Sequence, residues 1–537
     1  MTGTALLGRV DRNEIHRRAA RTSPELIIGL VGAIGTDLGA ATKALSNALT
    51  AEANYTPRII RLSALLHEIE GLTPMSQTSD KFEYYQEHMK AGTELRQKMN
   101  HGDAMARLAM FDIRQARDEM LMSEPMIERR AFILHSLKRK EEIDTLRRVY
   151  GPAFFLVSVY APRNKRVDRL AQIIAESRGL WRPLDFRSQA EQLVRTDEKE
   201  LDEPLGQDVQ GAFPEADVFI DATNLNEMDR SVKRFVRLIF GHMFHTPTRS
   251  EWGMFFAKAA AVRSSALGRQ VGSAITTQMG ELVAVGTNDV PKAAGGLYWE
   301  GDEPDGRDFV LGEDKSDRHK HDLIAELLQR LKEEGWLSEK CRDMDVQQLR
   351  KQALKKDETG TGPWRGSRIM NLIEFMRPVH AEMAALMEAV RRGVPVQGSV
   401  MYVTTFPCHE CARHLIAGGL SRVVYVDPYP KSLAAELYED SIALEGTGGS
   451  TAKVVFAPFV GIAPRRYMEF FELRGDRKMK DGSVVPWVPT QVSPKFPGDY
   501  TVYSALEAQL LEQFAAAVQR IGLNFRVSLE PSEESSK

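Results

Sequence analysis

The chain is 537 residues long, 43% hydrophobic and 27% charged, with a formal net charge of −3. That length exceeds what one hydrophobic core spans and predicts two to four domains, while the near-balanced charge carries no global signal for a nucleic-acid or membrane-surface partner. Three cysteines exclude a disulfide framework and fit a reducing, cytoplasmic setting with thiols free to bind metal.

Met1–Ser23 is charged throughout and lacks the apolar stretch of a signal peptide. Leu26–Ala41 is broken by glycines and Asp37 and is too short to span a bilayer, so no membrane partner is expected. Five short apolar runs then stand in the first half: Leu26–Val31, Arg58–Leu62, Ala131–His135, Phe154–Val159 and Asp217–Ile220. Charged, helix-like stretches such as Ser136–Arg148 and Asp229–Phe240 separate them, which predicts βαβ units and a parallel sheet with helices on both faces.

The first run leads through a Gly turn, Gly32-Ala33-Ile34-Gly35-Thr36-Asp37, into a helix. Such a turn offers backbone N–H groups and a helix N-terminus to phosphate, so Gly32, Gly35, Thr36 and Asp37 are candidate nucleotide contacts. A full P-loop continues G-K-[ST]; here the Lys is missing and Asp37 opposes phosphate unless a metal ion intervenes. The expectation is a P-loop-kinase-like domain over 1–245 with weak or no phosphotransfer. It would bind a regulatory nucleotide with Mg2+, for which Asp221 is a candidate contact, or serve structure alone. The segments ADVFIDATN and FILHSL resemble nucleotide and dephospho-CoA kinases, an analogy at the level of fold.

Phe244–Glu251 reads as a linker. Beyond it come a helix over Trp252–Ser264 and strands over Val271–Thr277 and Glu281–Thr287. A charged insertion at about 300–370 follows, with an amphipathic helix over Asp322–Trp336 and no separate core. A second domain is placed at 250–480, and an extension ending in a disordered tail, PSEESSK, at 481–537.

Two motifs in the second domain carry chemistry. His380-Ala381-Glu382 and Pro407-Cys408-His409-Glu410-Cys411 each stand where a helix begins. Cys408 and Cys411, three apart, share one face of a first helical turn, so both sulfurs reach one ion. The helix N-terminus favours their thiolates. One His and two Cys leave a tetrahedral zinc ion an open position for water, the mark of a catalytic site. Glu382 is then the proton shuttle and not a ligand, and the H-x-E…P-C-x-x-C order is the pattern of zinc deaminases acting on cytosine or adenine. His409 and His414 read as surface or neighbouring residues, and Cys341 as a bystander.

The segment 257–291 (AKAAAVRSSALGRQVGSAITTQMGELVAVGTNDVP) resembles the opening helix and hairpin of deoxycytidylate-type deaminases. That resemblance implies a cytidine-deaminase-like α/β/α domain, with Asn288 binding the substrate sugar and Arg263, Ser264 and Arg269 near the nucleotide. Asp289 stands where that family has Gly. Nearly the whole chain, including VYVDPYPKSLA (424–434) and RRYMEFFELRGDRK (465–478), is similar to the bacterial anti-phage dCTP deaminases. The resemblance implies conversion of free dCTP, and dCMP, to deoxyuridine nucleotides, draining the pool a phage needs. It also implies regulation through the N-terminal half, by a small RNA or another inhibitor, and a homo-oligomer.

Substrate phosphate needs a few basic side chains, for which Arg465, Arg466, Lys431, Arg477 and Lys478 are candidates. A polynucleotide needs an extended basic, aromatic-bearing groove, and no long basic tract is present. Deamination of RNA or single-stranded DNA, and a nucleotide- or RNA-sensing regulator, stand as the alternatives.

Overall fold

A computed structural model describes residues 25–76, 78–123, 129–200, 203–355, 364, 367–427, 432–445 and 453–525. The expected tail and Met1–Ser23 lie outside these residues. Contacts divide the chain into two compact units, Met1–Pro247 with Val460–Lys537, and Thr248–Phe459. The boundary falls inside the expected linker, but Val460 onward joins the first unit. The second unit therefore ends at Phe459, ahead of the expected 480.

In the first unit, β1 (Leu26–Val31), β2 (Thr56–Arg61), β3 (Arg130–Leu137), β4 (Phe154–Tyr160) and β5 (Val218–Asp221) form one parallel sheet in the order β2-β3-β1-β4-β5. Gly461–Ile462 adds an antiparallel edge beside β5. All six β1 residues are buried. Ile27 and Val31 join one core and Leu26, Ile28 and Leu30 the other, as a strand covered on both faces requires. The second core is closed by α1 (Leu38–Ala53) and α3 (Leu225–Ile239); the first is closed by α2 (Lys140–Tyr150), the helices Lys81–Met99 and Ala104–Ser123, and the late helix Tyr500–Arg520. Buried Arg117 ties that late helix in, donating to Glu507 at 2.7 Å and to Glu25 at 2.8 Å.

The expected helix over Ser136–Arg148 starts later. β3 runs on to Leu137, and the helix begins only after Arg139, where Glu142 bonds back to the Arg139 backbone.

The second unit holds α4 (Arg249–Val262), β6 (Gly272–Thr276), β7 (Leu282–Thr287), α5 (Lys315–Glu333), α6 (Ala381–Arg391), β8 (Val400–Thr405), α7 (His409–Ala417), β9 (Arg422–Asp427), β10 (Ile442–Leu444) and β11 (Val454–Pro458). Its sheet runs β10-β11-β9-β8-β6-β7, parallel from β10 to β8 and antiparallel for β6 and β7. Neighbouring β6 residues send it to two helix layers. A Cβ on Gly272 would lie 2.0 Å from Ala257 O of α4, whereas Ser273 Oγ donates to Ala381 O of α6 at 2.7 Å. The chain is thus mixed α/β with two parallel-rich sheets, helices covering both faces of each.

The insertion differs from expectation. Ile324, Leu328, Leu349 and Ala353 form a small buried cluster of its own, against which Cys341 packs. Among the described residues no helix is long and apolar enough to cross a membrane.

Candidate metal centre and its surroundings

Both metal motifs sit at helix N-termini on the strand-end side of the second sheet. His380 has extended backbone and caps α6. Its approach is fixed one residue earlier, where Val379 N–H donates to Asp289 O at 2.9 Å. Cys408 caps α7, its sulfur accepting from Cys411 N–H at 3.4 Å, so one turn presents both sulfurs inward. His380 Nδ1 stands 3.3 Å from each of Cys408 Sγ and Cys411 Sγ. All three donor atoms lie within 4.8 Å of one another, and no further group of three potential ligands occurs among the described residues.

This donor set fits zinc. Tetrahedral zinc with Zn–S near ~2.3 Å and Zn–N near ~2.05 Å has an S···N edge of about 3.6 Å, close to the 3.3 Å found here. The electrostatics point the same way. The hydrogen bond from Cys411, with His380, pushes Cys408 down to about 4, and that shared proton pushes Cys411 up. A cation is what lets both sulfurs ionise together. Glu382, only 3% exposed in the first turn of α6, is raised by burial against the pull of His380. His380 is raised chiefly by its hydrogen bond to Cys408.

The expected substrate residues divide. Asn288 is buried, its Oδ1 accepting from Val271 N–H at 2.7 Å and its Nδ2 donating to Arg269 O at 2.8 Å. Ser264 Oγ donates to Asn288 O at 2.7 Å. Both pin the 264–271 loop to the end of β7. Arg263 lies 3.5 Å over the Trp299 ring and donates to Tyr298 O at 3.0 Å. Arg269 alone of the four is exposed, paired with Asp427 at 2.7 Å across the ends of β8 and β9, where the Cys408 segment leaves the sheet.

Asp289 is a joint rather than a gap in the pattern. Its carboxylate takes Ser265 N–H at 3.2 Å and Val290 N–H at 2.8 Å while its carbonyl holds Val379. Sequence reasoning missed that role, as it missed Ser273 holding Ala381; both join residues far apart in the chain. His414 Nδ1 meets Glu410 O at 2.8 Å, and Cys341 is absent from the metal cluster.

Of the basic candidates for substrate phosphate, Lys431 lies outside the described residues. Arg465 and Arg466 belong to the first unit and meet Asp217, and Arg477 donates to Met243 O at 2.8 Å there.

The Gly turn of the first unit departs from a phosphate cradle. Gly35 takes a positive φ of 87°, but Ile34 N–H already donates to Asp197 Oδ2 at 2.6 Å. Asp197, fully buried, also binds Lys138 Nζ at 2.6 Å, and Lys138 reaches Gly32 O at 3.3 Å. Asp37 caps α1 through Ala40 N–H at 2.9 Å and pairs with Arg169 at 2.9 Å. Thr36 Oγ1 is buried without a partner. Asp221 holds Thr223, N–H and hydroxyl each at 2.8 Å, rather than standing open to a metal. One N–H of the turn, that of Ile34, is thus committed to an internal carboxylate.

Residues 247–427 match the family described as the cytidine and deoxycytidylate deaminase zinc-binding region. The chain is 38% identical over 66 residues to ComE operon protein 2 of Bacillus subtilis, covering 12% of this chain and 35% of that protein. It is 39% identical over 54 residues to the deoxycytidylate deaminase of Enterobacteria phage T4, covering 10% of this chain and 28% of the relative. It thus spans about a third of the length of these curated relatives. The crystal structure of dCMP deaminase from the cyanophage S-TIM5 in complex with dCMP and dUMP matches 40% of this chain and 98% of its own. Its sequence identity is 15% and its TM-score 0.21.

Proposed function

We propose that this chain, whose residues 247–427 match the cytidine and deoxycytidylate deaminase zinc-binding region, hydrolytically deaminates free deoxycytidine nucleotides, dCTP and dCMP. The observation that carries the reading is the meeting of His380, Cys408 and Cys411 around one point, with the buried Glu382 one helical step away.

In the net reaction water adds its oxygen at C4 of cytosine, the C4–N4 bond breaks, and ammonia leaves a uracil ring. His380, Cys408 and Cys411 would hold the zinc ion, which supplies Lewis acidity that brings the pKa of water to about 7. Glu382 does the proton work. As the carboxylate it takes a proton from the attacking water and hands it to N3, then takes the proton of the new C4 hydroxyl and delivers it to the departing N4; burial raises its affinity for the proton it carries between these transfers. The Ser273–Ala381 and Asp289–Val379 bonds keep α6 and its carboxyl in register with the sulfurs on α7. Arg269, exposed at the strand ends, is the side chain we assign to the nucleotide; Asn288 and Ser264 shape the loop that carries it.

The preference for dCTP, the antiviral setting, control through the first unit and assembly into a homo-oligomer form the wider part of this proposal and rest on the resemblance to anti-phage dCTP deaminases.

Zinc-loaded protein incubated in turn with dCMP, dCTP, CMP, CTP, single-stranded DNA and RNA should release ammonia from the free deoxynucleotides. Turnover confined to the polynucleotides, or absent from every substrate, overturns the reading.

A further inference from the structure

The first unit contains a cavity that neither the metal centre nor the Gly turn uses. It has a volume of about 400 Å³, and its lining includes Arg147, Arg465, Arg466 and Arg474 together with Phe154 and Phe496. Such a volume lies within the range of small-molecule sites, which begins near ~300 Å³.

Its charge is unbalanced. Asp217, 1% exposed, already accepts Leu156 N–H at 2.7 Å, yet three guanidiniums converge on it: Arg465 in direct contact, Arg466 at 3.5 Å and Arg147 at 3.9 Å. Glu469, beside Arg466 at 2.7 Å, is the other carboxylate on the wall. Arg474 pairs with no carboxylate among the described residues; it meets Lys495 O at 3.3 Å and the Phe496 ring. Glu215 contacts Arg147 but is matched by Lys140 at 2.6 Å. Four cations thus face two anions on the wall, an excess of two positive charges.

The cations are also held in place before any ligand arrives. Arg466 lies 5.3 to 5.5 Å from the ring centroids of Phe155, Phe470 and Phe496, and Arg465 donates to the Ala216 and Glu215 carbonyls. Fixed planar guanidiniums match phosphate oxygens and lose little conformational freedom on binding.

We propose that this cavity binds a phosphate dianion: Arg147, Arg465, Arg466 and Arg474 take the oxygens, and Phe154 and Phe496 take an apolar group attached to it. The site is independent of the deaminase reading, since none of its residues belongs to the metal-bearing unit. It also lies apart from the Gly turn, none of whose residues lines it.

Titration calorimetry of the full-length, zinc-loaded protein at low ionic strength tests this, with inorganic phosphate and phenyl phosphate as the probes. Wild type should bind both saturably. Arg474→Gln, on the exposed rim, should weaken binding at least about tenfold with melting unchanged, and Arg147→Gln combined with Arg474→Gln should weaken it further, as loss of a charge-assisted bond predicts. Tighter binding of phenyl phosphate assigns an organic phosphate ester to the site; equal binding assigns the free anion. No saturable binding in wild type, or equal affinity in Arg474→Gln, overturns the proposal.

Discussion

Replacing Gly286 by Ala asks how far the metal centre depends on the close approach of α6 to the sheet. Gly286 lies in β7 opposite Ser273, on the face that meets α6. A Cβ placed there falls 2.1 Å from Ala381 O and 2.4 Å from Ala385 N, both backbone atoms that no rotamer change moves aside. Ordinary contact begins at 3.4 Å, so α6 must retreat by about 1.3 Å, the difference between 3.4 and 2.1. That helix begins at His380 and carries Glu382, whereas Cys408 and Cys411 sit on α7. The retreat pulls the imidazole and the carboxyl away from sulfurs that stay behind. A misplacement near ~1 Å costs about 100-fold in rate, and overpacking of this kind costs about 1–3 kcal/mol in stability. Ammonia release from dCMP, zinc content and thermal melting of Gly286→Ala beside wild type make the assay. A folded variant with about 100-fold slower turnover and reduced zinc is expected; a folded variant with wild-type rate and zinc content would refute the argument.

Glu382→Gln should keep its zinc and lose about 10²–10⁴-fold in ammonia release; a smaller loss removes the proton shuttle from the account. Cys408→Ser and Cys411→Ser should each purify with little zinc, whereas Cys341→Ser should keep the full amount, because Cys341 packs on the Ile324 and Leu328 cluster instead; zinc lost from Cys341→Ser contradicts this. His135, beside Thr42 at 2.9 Å, is lowered to about 4 by burial, with Arg61 and Lys138 adding to the effect. The unfolded chain takes up that proton near ~6.5, so His135 costs the fold nothing above that pH and destabilises it progressively as pH falls toward about 4, by at most about 3 kcal/mol. His135→Gln should flatten the melting temperature between these limits, and an unchanged acid limb would remove His135 as the cause.

The parts of this fold legible from sequence are those written in short-range pattern. Leu26–Val31 reads as a buried strand because six apolar residues, β-branched among them, stop at a glycine turn, and the structure gives it those bounds. His380, Cys408 and Cys411 were legible because each stands at a helix start, where spacing alone fixes which face the ligands share. What was not legible is long-range. Asp197 meets Ile34 across 163 residues and Arg465 meets Asp217 across 248, and neither pairing leaves a local trace. The return of Val460 onward to the first unit follows from such contacts, so the expected end of the second domain fell too late. The bonds of the Asn288 amide to the backbone of Val271 and Arg269 likewise come into view only in the folded loop.

The proposed chemistry requires one ion held by three side chains at the starts of two helices. X-ray absorption at the zinc edge of the purified protein reads that directly. Two sulfur neighbours near ~2.3 Å and two nitrogen or oxygen neighbours near ~2.0–2.1 Å are predicted. Four sulfurs, or a protein that retains no zinc, would contradict it.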